Sequence, residues 1–131
     1  GVEKYIKNLL PIYEGLSTKI IMNIAGTDIQ EYVEIMEMVE SVSSAIAGYE
    51  INISCPNVKK GGMEFGNDPI MTAGVVSACR KATSKPIITK LSPNQSDIKK
   101  SAQACIESGT DALSVINTIS GMAIDAEKID I

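Results

Sequence analysis

Four short apolar runs, separated by helical patterns, constrain the fold more than any other feature of this sequence. Each run is rich in Ile or Val and ends in small or polar residues, which is typical of strands in a buried sheet. The runs are residues 19–26, 49–54, 85–92 and 111–118. Because helical patterns fill the intervals, the sequence predicts an α/β fold with a parallel sheet and right-handed crossovers.

Signals for helix ends lie between these strands. Thr27 and Gln30 have the spacing of a capping box and predict the start of one helix. Asp68, followed by proline, is a suitable N-cap for a second helix. A third helix is expected within residues 96–109, where the final glycine can form a left-handed C-cap. A leading helix over residues 2–10 precedes the first strand.

The strand–helix alternation is compatible with two ways of closing the sheet. An open doubly wound sheet would be complete at 131 residues. A (β/α)₈ barrel takes about 250 residues, so this chain would be roughly half of one. Neither a linker nor a low-complexity segment interrupts residues 1–131, which predicts a single domain.

The composition excludes several kinds of site. The sequence contains no histidine, and its three cysteines have no paired spacing. The lack of histidine excludes nucleophile systems that depend on it and most zinc sites, so a general base must be Cys, Asp, Glu, Lys or Tyr. A net charge of −4 argues against a nucleic-acid partner. No apolar run approaches the roughly 20 residues of a membrane span. We therefore expect a reduced, cytoplasmic protein without a bound metal.

A polar residue lies near the C-terminal end of each predicted strand. These residues are Asn23, Asn52, Lys90 and Asn117. In parallel α/β folds this edge of the sheet binds ligands. Each residue alone has a simpler explanation, since an asparagine can cap a loop and a lysine can extend its ammonium to solvent. Together they favour a shared binding shell, because an unpaired buried polar group costs on the order of a few kcal/mol.

Cys55 differs from the other cysteines in its position at a strand end. Cys79 and Cys105 lie in helical patterns and are expected to pack in the core. The segment after Cys55 is about 14 residues long, a length at which loops are usually functional or disordered. It could be a lid over a pocket or a plain surface loop. A thiol has a reference pKa near 8.5, so Cys55 could accept a proton from a weak carbon acid.

Three segments carry a resemblance to a known family. "EINISCPNVKKGGMEFGNDP", "PIITKLSPN" and "VINTISGMAID" resemble the dihydroorotate dehydrogenases, most closely the soluble class 1 catalytic subunit of the NAD-linked, two-subunit type. The cysteine in "SCPN" distinguishes that class from the membrane-bound one, where serine takes its place. The resemblance implies a (β/α)₈ TIM barrel that holds FMN at the C-terminal ends of its strands. It implies that this chain is about half a barrel, spanning about strands three to six.

The same resemblance assigns roles to individual residues. It implies Cys55 as the catalytic base. Substrate contacts are implied for Asn52, Asn57, Asn117 and Thr118. Contacts with FMN are implied for Asn23, Asn52, Lys90 and, through its backbone, Ile116.

The implied reaction explains these residue types. Oxidation of (S)-dihydroorotate to orotate, a step of pyrimidine (UMP) biosynthesis, removes a proton from C5 and a hydride from C6. Cys55 would take the proton, while the hydride goes to flavin N5 on the opposite face of the ring. Asparagine amides suit a ring of alternating N–H and C=O groups, because they both donate and accept hydrogen bonds. Lys90 would stabilise negative charge on the reduced flavin.

The resemblance also implies partners, although further functions stay compatible with the sequence. It implies a separate iron–sulfur and FAD subunit for electron transfer, and a homo-oligomer. Dihydrouridine synthase also uses a loop cysteine, but it acts on tRNA and this chain is acidic. The chain could also be the pyrimidine-reducing domain of a dihydropyrimidine dehydrogenase-like flavoenzyme, or a non-catalytic truncated fragment. We expect the 131 residues alone to be inactive, because a half barrel exposes two sheet edges.

Overall fold

The fold alternates strands and helices along the chain, as the sequence predicts. The computed structural model describes residues 1–54, 56, 57, 63–119, 121–124 and 127, and for residues 56, 57, 63 and 64 the backbone alone. The helices are α1 Val2–Asn8, α2 Leu10–Glu14, α3 Ile29–Glu40, α4 Pro69–Ala82 and α5 Ile98–Glu107. The strands are β1 Ile20–Ile24, β2 Ile46–Asn52, β3 Pro56–Asn57, β4 Met63–Glu64, β5 Ile87–Lys90 and β6 Ala112–Ser114.

The main sheet has four parallel strands in the order β1-β2-β5-β6. Neighbours in the sheet therefore follow one another along the chain, apart from the short β3–β4 pair. An open doubly wound sheet reverses its strand order at a switch point, whereas a barrel does not. The strand order thus agrees with the predicted half of a (β/α)₈ barrel. The antiparallel pair β3–β4 lies in the segment after Cys55, where the sequence predicted a loop.

The predicted strands all form, but their ends differ from the prediction. β2 begins at Ile46 rather than at Tyr49, because Ile46 and Gly48 already pair with Ile20 and Ile21 of β1, and the register skips Ala47 between them. Glycine is required at position 48, since a Cβ there would lie 2.9 Å from the backbone oxygen of Pro86. The first residues of β2 therefore lie close to the backbone just before β5.

Aspartates cap the N-termini of helices α3, α4 and α5. Asp28, rather than the predicted Thr27, caps α3 and accepts a hydrogen bond from the backbone N–H of Glu31 at 3.0 Å. The Glu31 carboxylate in turn accepts from Thr27 N at 2.7 Å, so the capping box is displaced by one residue. Asp68 caps α4 as predicted, and Asp97 caps α5 within the range predicted for the start of that helix.

The predicted leading helix is broken into α1 and α2. Pro11 occupies the first turn of α2, and a proline cannot continue a preceding helix because it lacks an N–H and its ring clashes with the preceding turn. Among the residues that the structure describes, no helix is both long and apolar enough to cross a membrane.

The hydrophobic core lies between the sheet and helices α3, α4 and α5. It contains fully buried side chains from both layers: Tyr32, Met36, Val39, Tyr49, Ile51, Val75, Val76 and Ile87. Cys79 and Cys105 are also buried in this layer, as predicted for packing residues. Burial raises the pKa of the Cys79 thiol to about 12 and that of Cys105 to about 11.

Charged clusters hold together the edge of the sheet where the strands begin. Arg80 in α4 pairs with Asp111 at 2.9 Å and donates to the backbone oxygens of Thr83 and Lys85. Asp111 also accepts from the backbone N–H of Ile87 at 2.8 Å. The turn before β5 and the turn before β6 are therefore fixed to the same guanidinium.

A second cluster at this edge centres on Glu40 at the end of α3. Its Oε1 accepts hydrogen bonds from Tyr49 Oη at 3.1 Å and Thr83 Oγ1 at 2.8 Å. Its Oε2 lies 3.0 Å from Lys85 Nζ. The Glu40 carboxylate therefore connects α3 and β2 to the turn before β5.

Candidate active site on the polar face of the sheet

One face of the sheet is polar near the C-terminal ends of its strands. Asn23 is in register with Glu50, and Asn52 is in register with Lys90, which pairs with Ser114. Residues in register on parallel strands share a face, and alternate residues of one strand do so as well. The opposite face packs on the helices, so these side chains lie on the side away from the core.

Asn52 is the best-fixed polar side chain of this face. Its backbone oxygen accepts from Tyr32 Oη at 2.8 Å. Its Oδ1 accepts from Ser54 N at 3.2 Å and from Asn117 Nδ2 at 3.0 Å. A backbone N–H is a donor alone, so the oxygen of the Asn52 amide must face Ser54. Among the described residues none accepts a hydrogen bond from Asn52 Nδ2, so these donors are available to a ligand.

The segment after β6 is attached to the end of β5. Asn117 N donates to Leu91 O at 3.0 Å. Thr118 N donates to Asn117 Oδ1 at 2.8 Å, and the Thr118 backbone oxygen accepts from Asn94 at 3.5 Å. Thr118 is exposed, whereas Ile116 packs partly buried against the core. The predicted Asn117–Thr118 pair thus lies beside Asn52.

Glu50 is a polar residue of this face that the sequence reasoning missed. Asn23 donates from Nδ2 to Glu50 Oε1, and Lys90 Nζ lies 3.8 Å from the same oxygen. The structure describes no contact between Asn23 and either Asn52 or Asn117, and Asn23 lies one strand further out, on β1. The signal was present, because Glu50 stands two residues before Asn52 and must share its face.

A cleft of about 720 Å³ lies at the unpaired edge of β1, between α1 and α3. Its lining includes Asn23 and Met38 but none of Glu50, Asn52, Lys90 and Asn117. We assign the site to the polar face rather than to this cleft, because the hydrogen-bonded amides and the ion pair lie there.

A family model decides the relationship of this chain to known proteins. The model described as dihydroorotate dehydrogenase matches residues 1–130. The chain belongs to the dihydroorotate dehydrogenase family. This confirms the resemblance carried by the three sequence segments.

Curated relatives support membership of the dihydroorotate dehydrogenase family. The chain is 48% identical over 128 residues to the protein named dihydroorotate dehydrogenase B (NAD(+)), catalytic subunit, of Geotalea daltonii. It is 49% identical to the protein of the same name from Pelobacter propionicus. Both alignments cover 98% of this chain and 42% of the relative, so the chain spans about two fifths of their length.

Solved structures resemble the fold. The carboxyl transferase domain of Rhizobium etli pyruvate carboxylase matches 75% of this chain and 16% of its own chain, with a TM-score of 0.55 and 16% identity. The 3-hydroxypyruvate complex of that domain gives the same TM-score. At this identity the likeness concerns the fold alone.

Two residues predicted for the dihydroorotate dehydrogenase site cannot be placed by their side chains. Cys55, the predicted base, lies outside the described residues, and Asn57 is described by its backbone in β3 alone. Ser54, which precedes Cys55, has its hydroxyl buried without a hydrogen-bond partner among the described residues. The roles of Cys55 and Asn57 stay predictions.

Proposed function

We propose that this chain is the central part of a dihydroorotate dehydrogenase catalytic subunit, comprising about strands three to six of an FMN-binding (β/α)₈ barrel. The subunit would oxidise (S)-dihydroorotate to orotate in pyrimidine biosynthesis. One observation carries the proposal in a chain of this family: the hydrogen bond between Asn52 and Asn117 at 3.0 Å, with Lys90 in register beside Asn52. These residues form a polar rim at the edge where barrel enzymes bind substrate.

The hydrogen-bonding groups of the rim fit a flavin ring. Asn52 offers Nδ2 donors, Lys90 offers an ammonium, and Asn23 offers Oδ1, because its NH₂ group faces Glu50. A pyrimidine-type ring edge carries alternating acceptors and donors, which such a set can match. When bound, FMN supplies the acceptor for the hydride from C6 of the substrate.

The chain's own residues would bind the substrate and remove its proton. Asn52, Asn57, Asn117 and Thr118 would hold the ring and its carboxylate in a fixed orientation. Cys55 would accept the proton from C5, since a thiolate is an adequate base near neutral pH. Lys90 would stabilise the negative charge that develops on the flavin side, and Ile116 would contact FMN through its backbone.

The partners proposed for the whole protein follow from its relatives. Their names contain the words catalytic subunit and NAD(+), which supports a second subunit that passes electrons towards NAD. We propose that this partner carries an iron–sulfur cluster and FAD, and that the protein is a cytoplasmic homo-oligomer.

The test uses the full-length protein that contains this chain. Anaerobic mixing of the FMN-loaded protein with (S)-dihydroorotate should bleach the visible flavin absorbance and release one orotate per flavin. An FMN-loaded protein that dihydroorotate does not reduce, while dithionite does, would contradict the proposal. The isolated 131-residue chain should not bind FMN stoichiometrically.

A further inference from the structure

A single carboxylate oxygen connects three strands of the polar face. Asn23 on β1 donates from Nδ2 to Glu50 Oε1, and the two residues are in register. Lys90 on β5 places its Nζ 3.8 Å from the same oxygen. Glu50 on β2 is therefore the common partner of two residues that the proposed function assigns to the flavin.

Glu50 determines what its two partners can offer to a ligand. An ionised carboxylate accepts hydrogen bonds and donates none, so Asn23 must turn its NH₂ group towards Glu50 and keep Oδ1 for a ligand. Lysine has a flexible four-carbon side chain, and the nearby Glu50 carboxylate restricts the positions that the Lys90 ammonium can take. Both effects preorganise the rim and reduce the ordering that binding would require.

The environment of this pair differs from that of an ordinary surface ion pair. The Lys90 and Glu50 side chains are 29% and 22% exposed, whereas those of the helical pair Lys100 and Asp97 are 74% and 43% exposed. Exposed pairs contribute little because water screens them. Glu50 and Lys90 instead face the side of Asn52, where a bound ring would screen them further from water.

We propose that Glu50 is a positioning residue for Lys90 and Asn23. The inference rests on the proposed function, because it requires a flavin on the polar face. Glu50 acts through Lys90 by holding the ammonium where it stabilises negative charge on the reduced ring. Loss of Glu50 therefore resembles loss of Lys90, even though Glu50 is itself an anion.

The sign of a redox shift tests this directly. In the FMN-loaded full-length protein, anaerobic redox titration would give the flavin midpoint potential of Glu50→Gln, Lys90→Met and the double variant. Lys90→Met should lower the potential, because a cation near the ring is lost. Glu50→Gln should also lower the potential, by about 30 mV. For a two-electron couple this corresponds to an about tenfold change in the equilibrium constant of flavin reduction. The double variant should match Lys90→Met alone.

Several outcomes would overturn the inference while leaving the proposed function intact. Removal of a negative charge without loss of position would raise the potential in Glu50→Gln. A double variant whose shift equals the sum of the single shifts would show that Glu50 does not act through Lys90. The control is Glu37→Gln on the exposed face of α3, which removes the same charge and should leave the potential unchanged.

Two further measurements keep the test decisive. If circular dichroism shows that Glu50→Gln does not fold, Glu50→Asp replaces it, because it keeps the charge on a shorter side chain. Glu50→Asp should also lower the flavin potential. An unchanged potential in this variant would refute the inference. A wild-type protein that binds no FMN would overturn the proposed function and this inference together, whereas FMN binding with an unaffected Glu50→Gln potential overturns the inference only.

Discussion

Asn117 Nδ2 donates to Asn52 Oδ1 at 3.0 Å, although strand β5 lies between β2 and β6 in the sheet. The contact is possible because the chain after β6 bends over the end of β5, where Asn117 N donates to Leu91 O at 3.0 Å. The two amides thus close around the end of the strand that carries Lys90. Three strands contribute to one small polar surface.

Asn117→Ala should weaken substrate binding without unfolding the protein. The substitution removes a proposed substrate contact and releases the Asn52 amide, and a lost hydrogen bond to a bound ring costs about 1–2 kcal/mol, or roughly tenfold in KM. Steady-state kinetics of the full-length protein with dihydroorotate would measure it. Gln103→Ala, an amide exposed on α5, is the control and should leave KM unchanged.

Cys55→Ser should slow flavin reduction and shift its optimum to higher pH. A hydroxyl is a much weaker acid than a thiol, so the conjugate base forms only at higher pH, and loss of a positioned base costs about 10² to 10⁴ in rate. Stopped-flow absorbance at several pH values would measure it. Unchanged rates would exclude Cys55 as the base.

Lys90→Ala should reduce the rate of flavin reduction by about 10² while lowering the melting temperature little. The ammonium is close to Glu50 alone among the described carboxylates, at 3.8 Å, so its contribution to folding is small. Parallel stopped-flow and thermal melts would separate the two effects. Lys81→Ala, exposed at the end of α4, should change neither. A loss of stability in proportion to the loss of rate would refute the electrostatic role.

Glu40→Gln should destabilise the protein at neutral pH but not in acid. Burial raises the pKa of Glu40, but hydrogen bonds from Thr83 and Lys85 and the Lys85 charge outweigh it and lower the pKa below its ordinary value. The ionised form is thus the one that the fold stabilises. The ionised Glu40 carboxylate contributes about 1 kcal/mol to the free energy of unfolding. This contribution is fully present above the ordinary glutamate pKa of about 4.3, and it is lost as the pH falls through the lower pKa of the folded state.

Urea unfolding of Glu40→Gln and the wild type across this pH range would measure the difference. Glu37→Gln, one turn earlier and exposed on α3, is the control with the same loss of charge. A difference that stays constant from neutral pH into acid would show that the Glu40 charge is not the cause.

Gly48→Ala should destabilise the sheet by about 1–3 kcal/mol. The added Cβ would lie 2.9 Å from the Pro86 backbone oxygen and 3.1 Å from Ile21 Cδ1, and the backbone oxygen cannot move without breaking its bond to Tyr49 N. Gly15→Ala meets only Ile12 O at an ordinary 3.5 Å and should be nearly neutral. Equal melting temperatures for the two variants would contradict this account.

The sequence predicts the strands, the aspartate cap at Asp68, the start of α5 near residue 97, and the meeting of Asn52 with Asn117. These features follow from local patterns and from the shared edge of parallel strands. It does not predict that Glu50 accepts a hydrogen bond from Asn23 and forms an ion pair with Lys90, because a charged residue in a strand is equally compatible with solvent exposure. The break at Pro11 and the pairing of β3 with β4 also escaped prediction, since turn geometry and a two-residue pairing leave little trace in hydrophobic periodicity.

The Arg80–Asp111 pair and the Glu40 cluster lie at the edge where the strands begin, opposite the polar rim. The contacts that stabilise the fold and the residues proposed for chemistry therefore lie at opposite ends of the same strands. Substitutions that raise thermal stability can therefore be sought in the turn before β5, around Thr83 and Lys85, while the proposed ligand-binding amides Asn52 and Asn117 are left unchanged.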